Sequence, residues 1–256
     1  MLTNNQFKKY TSLKQVKYRY LNGLFSVEGL KNVEELLQSD YVTEALITTG
    51  NWLDSNSFSL NTRIETDIVS EKDMLQLSSL ATPPGIIAIA EIPENLSSPI
   101  NLKGTYTLVL DGINDPGNLG TIIRTADWFG FQQIVCSTDT VDVFNQKVVQ
   151  ASMGSIFRVK VVNRELSEVF TEAQQQQIPI YGTTLDGENV YASDINPFEA
   201  LLVIGSESHG IREDSLRFLS RKIAIPNYGS SNRKAESLNA SVATAVFLAE
   251  IRRRQK

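Results

Sequence analysis

The sequence predicts an α/β protein with a small N-terminal α/β domain, residues 1–98, and a larger C-terminal domain built on a parallel sheet, residues 104–256. Three observations carry this. From Thr105 onward, apolar and β-branched runs of strand length alternate with stretches of helical apolar spacing, the pattern of strands joined by crossover helices. Before Pro93 lies a separate set of helical and strand-like stretches. Between the two lies Pro93 to Gly104, PENLSSPINLKG, whose two prolines and several turn formers suit a linker.

In chain order, the N-terminal part opens on residues rich in lysine and arginine. A helix over Glu28 to Gln38, a strand over Glu44 to Thr48 and a helix over Glu71 to Leu80 follow, the last with Ser70 and Asp73 as a capping pair. Gly85 to Ile92, GIIAIAEI, is a strand. In the C-terminal part, strand Thr105 to Leu110 precedes helix Leu119 to Phe129 and strand Gln133 to Cys136. An apolar strand then runs from Leu201 into Gly205, and a short one lies near Ile223. Ser237-Leu238-Asn239 opens the last helix, where Leu238, Val242, Ala245 and Ala249 recur at helical spacing and are expected to face the core. There is no internal repeat.

A chain of 256 residues with 41% hydrophobic content can bury one large or two modest cores. No apolar run approaches a membrane span, and MLTNNQFKKY has no hydrophobic signal region, so a cytoplasmic protein is expected. Cys136 is the sole cysteine, which excludes an intramolecular disulfide and a zinc cluster, and no metal is expected. His209 is the sole histidine, which excludes any mechanism needing two, and it reads as a loop residue.

Three segments place polar residues at strand ends, where open α/β sheets hold ligands. In LDGINDPGNLGTIIRTADWFG, Leu110 to Gly130, a turn-rich loop separates strand from helix and Arg124 adds a permanent positive charge. Taken alone it is equally an ordinary turn, with Asn118 as helix cap. In LLVIGSESHGI, Leu201 to Ile211, two glycines allow close backbone approach and Glu207 supplies a carboxylate. In IAIPNYGSSNRKAESLNASVATAVFLAE, Ile223 to Glu250, a long polar loop leads to Ser237, which could be a plain N-cap.

Together, in this order, the segments resemble the three motifs of the SpoU (TrmH-like) family of RNA 2′-O-methyltransferases, within the SPOUT superfamily. The first, D-x-x-x-D-P-x-N-x-G-x-x-x-R-T-A, is matched at Asp111, Asp115, Pro116, Asn118, Gly120, Arg124, Thr125 and Ala126. The second is matched at Gly205, Glu207 and Gly210, and the third at Ile225, Pro226, Gly229, Glu236, Ser237, Leu238, Asn239 and Ser241. The chain departs from the family by about four inserted residues within Ser230 to Ala235, a change that costs little closure entropy. Residues 8–38 resemble the family's N-terminal substrate-binding domain, whose signature is a basic helix, a strand ending here in Val27-Glu28-Gly29, and another helix.

The resemblance implies S-adenosylmethionine as cofactor, RNA as substrate, a deep trefoil knot in the C-terminal domain, and a homodimer. It implies a catalytic set of Asn118, Arg124, Glu207, Ser237 and Asn239, with the cofactor against Gly205, Ile225, Leu238 and Asn239. A guanidinium stays protonated, so Arg124 is expected to orient the ribose and stabilise the developing alkoxide rather than act as base. Asn118 would fix the loop or the ribose, and Glu207 would hold Arg124 or touch RNA. No G-x-G-x-x-G dinucleotide fingerprint occurs.

The net charge of −5 is unlike that of a simple nucleic-acid binder, but its distribution is uneven. Lys8, Lys9, Lys14, Lys17 and Arg19 fall within residues 1–20 without an acid, and are expected to meet RNA phosphates. Further clusters are Arg252, Arg253, Arg254 and Lys256, and Arg233 with Lys234. Solvated helix faces are the ordinary alternative for such runs. Two rival functions stay open: a catalytically silent RNA-binding relative, and an α/β enzyme acting on a small nucleotide. Ribosomal and transfer RNA are both open as substrates.

Overall fold

The computed structural model describes residues 2–56, 64–94, 99–229 and 236–255. They form two compact units, Met1–Glu94 with Asp142–Arg158, and Asn95–Val141 with Val159–Lys256.

In the first unit, α1 (Asn4–Ser12) starts at a capping box of Thr3 and Gln6 and is separate from α2 (Val16–Asn22), which Gly23 ends in the left-handed conformation. The strands β1 (Leu24–Glu28), β2 (Thr43–Thr49), β3 (Thr66–Val69) and β4 (Ile86–Glu91) form one sheet in the order β1-β4-β2-β3. Only β2 and β3 pair in parallel. Helix α3 begins at Leu30 and ends at Leu37, because Gly29, at φ +88°, turns the chain out of β1 first. After α4 (Gly50–Ser55), α5 runs only from Glu71 to Leu77, capped by Ser70. Its end fits the buried carboxylate of Glu28, which accepts hydrogen bonds from the Ser78 and Ser79 hydroxyls and the Ser79 amide. Tyr10, Leu13, Leu24, Ile47, Met74 and Ile87 are part of the core between helices and sheet.

Residues 142–158, placed by sequence order with the C-terminal domain, pack in this unit. They contain α7 (Gln146–Ser152) and a 3-10 turn (Ser155–Phe157). Phe144 packs tilted against Phe25 at 4.6 Å between ring centroids, Phe157 lies edge-on to Tyr41 at 5.2 Å, and Gln146 donates to Ser26 Oγ at 2.6 Å.

The second unit is a six-stranded sheet of β5 (Tyr106–Asp111), β6 (Gln133–Cys136), β7 (Lys160–Asn163), β8 (Ile180–Asn189), β9 (Ala200–Gly205) and β10 (Arg221–Ala224). Its order is β10-β8-β9-β5-β6-β7 and every pairing is parallel. The helices are α6 (Pro116–Trp128), α8 (Leu166–Gln175), α9 (Glu213–Leu216) and α10 (Ala240–Arg254). β5 is buried throughout and β9 almost so, which is why both read as continuous apolar runs. From β5 the chain moves outward through β6 and β7, then returns to β8 and β9 on the other side. The connections therefore diverge between β5 and β9, whose carboxyl ends, Asp111 and Gly205, are register partners.

Two expectations are corrected here. Part of the linker is core: Ile100 and Leu102 are buried with Val109, Val135 and Phe170. The last helix buries Ala240, Ser241, Thr244, Phe247, Leu248 and Ile251, whereas Leu238, Val242 and Ala249 are exposed and Ala245 is half-buried. Small apolar residues occur all round that helix, so spacing alone does not fix its face, and the larger Phe247, Leu248 and Ile251 decide the packing. The knot implied by the resemblance involves the path from β10 to α10, of which Ser230–Ala235 lie outside the described residues. No helix among the described residues is long and apolar enough to cross a membrane.

Candidate active site

The first loop leaves β5 through Gly112, at φ +73°, whose amide donates to Ser137 Oγ at 2.9 Å. Asp115, not Asn118, caps α6: its carboxylate accepts from the Asn118 amide at 2.7 Å, and Pro116 takes the first helical position. A carboxylate suits the positive end of the helix better than an amide. Asn118 is thereby freed from capping, and its side chain turns to the other two loops.

The second loop closes on itself. Ser206 N donates to Gly210 O at 3.1 Å and Gly210 N to Ser206 O at 2.9 Å, leaving Glu207, Ser208 and His209 exposed at the tip. A Cβ on Gly205 would collide with the backbone of Gly210 and Ile211, so only glycine permits this turn. His209 is a loop residue as expected, bonded through Nδ1 to Ser208 Oγ at 2.7 Å.

The third segment returns at Asn239, which, rather than Ser237, caps α10. Asn239 Oδ1 accepts from the amides of Ser241 at 3.0 Å and Val242 at 3.3 Å, and from Ser241 Oγ at 2.6 Å. With its oxygen committed to the helix, its Nδ2 donates to Asn118 Oδ1 at 2.9 Å. Asn118 must then present its own Nδ2 outward, and this donates to Glu207 Oε1. The cap thus sets the direction of a relay, Asn239 to Asn118 to Glu207, that joins all three loops.

Arg124 is exposed on α6, between the buried Ile123 and Ala126, and no described side chain pairs with it. Glu207 is engaged by Asn118, so the expected Glu207–Arg124 contact is not made. Ser237 is exposed with no hydrogen-bond partner among the described residues. A residue that the motifs did not single out, Arg212, supports the site from beneath. Its guanidinium pairs with the fully buried carboxylate of Asp111 at the end of β5 and with Asp139 at 3.0 Å, and its amide donates to Asp111 at 3.0 Å. The hydroxyl of Ser137, then Arg212, hold the Asp139 carboxyl below its usual range. The signal available was Asp111 itself, an acid ending an apolar strand.

The residues expected to hold the cofactor fit such a group. Gly205 lets the second loop fold tightly at the end of β9, Ile225 is partly exposed just beyond β10, and Leu238 is half exposed beside Asn239. Apolar side chains next to peptide groups and an amide suit an adenosine with a charged amino-acid tail. Among the described residues no group of three or more His, Cys, Asp or Glu side chains could hold a metal ion.

The basic residues divide. Lys8, Lys14 and Lys17 are exposed, although Lys14 Nζ donates to Ser78 O at 2.7 Å, and Lys9 pairs with Glu44 at 2.9 Å. Arg19 is buried and bonded to Asp142 and to the carbonyls of Leu13 and Lys14. The C-terminal arginines are structural: Arg252 donates to Phe129 O and Gly130 O, and Arg253 and Arg254 grip Glu250. Arg233, Lys234 and Lys256 lie outside the described residues.

Residues 105–249 match the SpoU rRNA Methylase family, and residues 4–88 match the MRM3-like substrate binding domain. The 23S rRNA (guanosine(2553)-2′-O)-methyltransferase RlmP of Bacillus subtilis is 32% identical over 250 residues, 97% of this chain and 96% of that protein. A solved structure from Porphyromonas gingivalis, assigned to the TrmH family of RNA methyltransferases, is 38% identical with a TM-score of 0.86, covering 99% of each chain. The AdoMet-bound rRNA methyltransferase from Sinorhizobium meliloti is 28% identical with a TM-score of 0.83, covering 100% of this chain and 97% of the other. Motifs, topology and full-length similarity agree, and the chain belongs to the SpoU rRNA Methylase family.

Proposed function

We propose that this chain methylates a guanosine of ribosomal RNA on its ribose 2′-hydroxyl. As a family member it is an S-adenosylmethionine-dependent RNA 2′-O-methyltransferase. The choice of ribosomal RNA rests on one observation, the similarity along nearly the whole chain to a relative named for a 23S rRNA guanosine.

S-adenosylmethionine supplies an activated methyl group on a sulfonium, so the protein's tasks are to align the hydroxyl and stabilise the charge it develops. Gly205, Ile225, Leu238 and Asn239 would hold the cofactor at the crevice. Arg124, whose guanidinium has no described partner, orients the ribose and its phosphate and stabilises the alkoxide. Asn118 fixes the carboxylate of Glu207 at the crevice, and Ser237 offers its hydroxyl from the third motif.

The same reading includes a homodimer and a cytoplasmic setting. Asn118 meets Asn239 at one end of α6 and α10, and Phe129 meets Arg252 at the other, so the two helices run side by side in parallel. Their exposed apolar residues, Trp128, Val242 and Ala249, then offer a surface for a second copy. The substrate is tested by competing unmodified 23S rRNA against transfer RNA as acceptors of labelled methyl. Preferential labelling of 23S rRNA at guanosine is expected, and preferential labelling of transfer RNA would refute the assignment.

A further inference from the structure

Helix α2 has its polarity inverted. Arg19, 2% exposed, faces inward with Tyr18 and Asn22, while Val16, Lys17, Tyr20 and Leu21 form one outward arc. Val16 is 50% exposed, Tyr20 52% and Leu21 72%, the reverse of an ordinary amphipathic helix. The buried guanidinium is compensated by Asp142 and by two carbonyls, so the cost of its burial is met. The outward apolar residues have no such compensation.

Two features indicate what the arc meets. Tyr20 Oη donates to Asp142 Oδ1 at 2.8 Å, which fixes one end of the ring while much of its surface stays in solvent. A ring already held in place loses little freedom on stacking. Charge supplies the second: no acidic residue precedes Glu28, Lys8, Lys14 and Lys17 are exposed, and the nearby carboxylate of Asp142 is matched by Arg19. Apolar and aromatic surface that carries Lys17, with Lys14 exposed just before the helix, suits a polyanion that carries flat bases.

We propose that the exposed arc of α2 is a contact surface for a single-stranded part of the substrate RNA. An unpaired base stacks on Tyr20 and Leu21, and a backbone phosphate meets Lys17. This rests on the RNA-methyltransferase reading above, and extends it from the lysines of residues 1–20 to the apolar and aromatic residues of α2.

The test measures binding of an unmodified 23S rRNA transcript, and KM and kcat for methyl transfer to it, by the full chain and by Tyr20→Ala, Tyr20→Phe, Leu21→Ser and Lys17→Ala. Tyr20→Ala is expected to raise Kd and KM by roughly five- to a hundred-fold, the range for one stacked base. Tyr20→Phe, which keeps the ring and loses the bond to Asp142, falls between wild type and Tyr20→Ala, and Leu21→Ser, which disturbs no buried contact, weakens binding. Lys17→Ala lowers the salt dependence of binding by about one charge. Affinity for S-adenosylmethionine is unchanged throughout. If the wild type transfers methyl to no RNA, the functional reading fails and this inference with it. If the wild type is active and Tyr20→Ala and Leu21→Ser bind RNA as it does, this inference alone is overturned. A change in sedimentation with RNA binding intact would also overturn it, marking the arc as a protein contact.

Discussion

Asn118 accepts a hydrogen bond from Asn239 at 2.9 Å, across 121 residues of sequence. Each amide has its direction set by the next group, because the α10 cap takes the Asn239 oxygen and Asn118 is left with a donor for Glu207. The relay is therefore set by a helix cap as much as by the loops it joins.

Asn239→Ala is expected to cost about 0.5–2 kcal/mol of stability through the lost cap, and Asn118→Ala much less, since Asp115 caps its helix. In kcat/KM the two losses should be non-additive, with a coupling of about 0.5–3 kcal/mol. Fully additive kinetics in the double variant would show that the amides act separately.

Arg212→Ala leaves the buried carboxylate of Asp111 unpaired. Breaking such a pair costs about 3–5 kcal/mol when both groups are buried, and Arg212 is partly exposed, so about 2–4 kcal/mol is expected in urea unfolding. Arg212→Ala with Asp111→Asn should recover part of that loss. Equal stability of single and double variants would place the energy elsewhere.

Gly205→Ala forces a methyl group into the backbone of Gly210 and Ile211. The second loop must open, and affinity for S-adenosylmethionine measured calorimetrically should fall at least about tenfold, with a stability loss of about 1–3 kcal/mol. Normal affinity in this variant would remove Gly205 from the cofactor site.

Glu250 is held at a pKa of about 2 by hydrogen bonds from Arg253 and then Arg254. A carboxylate with a depressed folded pKa contributes stability above its unfolded value of about 4.5, which is lost as pH falls toward 2. The stability advantage of the wild type over Glu250→Gln should thus be constant above pH 5 and shrink between pH 4.5 and 2. An advantage independent of pH across that window would contradict the pairing.

Much of the site was legible because β5 and β9 are buried in a parallel sheet, so their apolar runs end sharply where the polar loops begin. What stayed hidden depends on partners distant in sequence. Arg19 looks like a phosphate ligand until Asp142 is folded against it, and Asp142–Arg158 looks like part of the second unit until Phe144 meets Phe25. Ile100 and Leu102 are two apolar residues among turn formers, too few to mark buried chain. The inward face of α10 could not be chosen by spacing among so many small apolar residues.

The most direct single measurement is alkaline hydrolysis of ribosomal RNA after incubation with methyl-labelled S-adenosylmethionine and either the wild-type chain or Arg124→Ala. A 2′-O-methyl group removes the nucleophile that alkaline cleavage requires. Label should appear in an alkali-resistant dinucleotide with the wild type and fall at least about a hundredfold with Arg124→Ala, the scale of losing one charge-stabilising donor. Label released in mononucleotides, or an Arg124→Ala chain as active as the wild type, would contradict ribose methylation at this site.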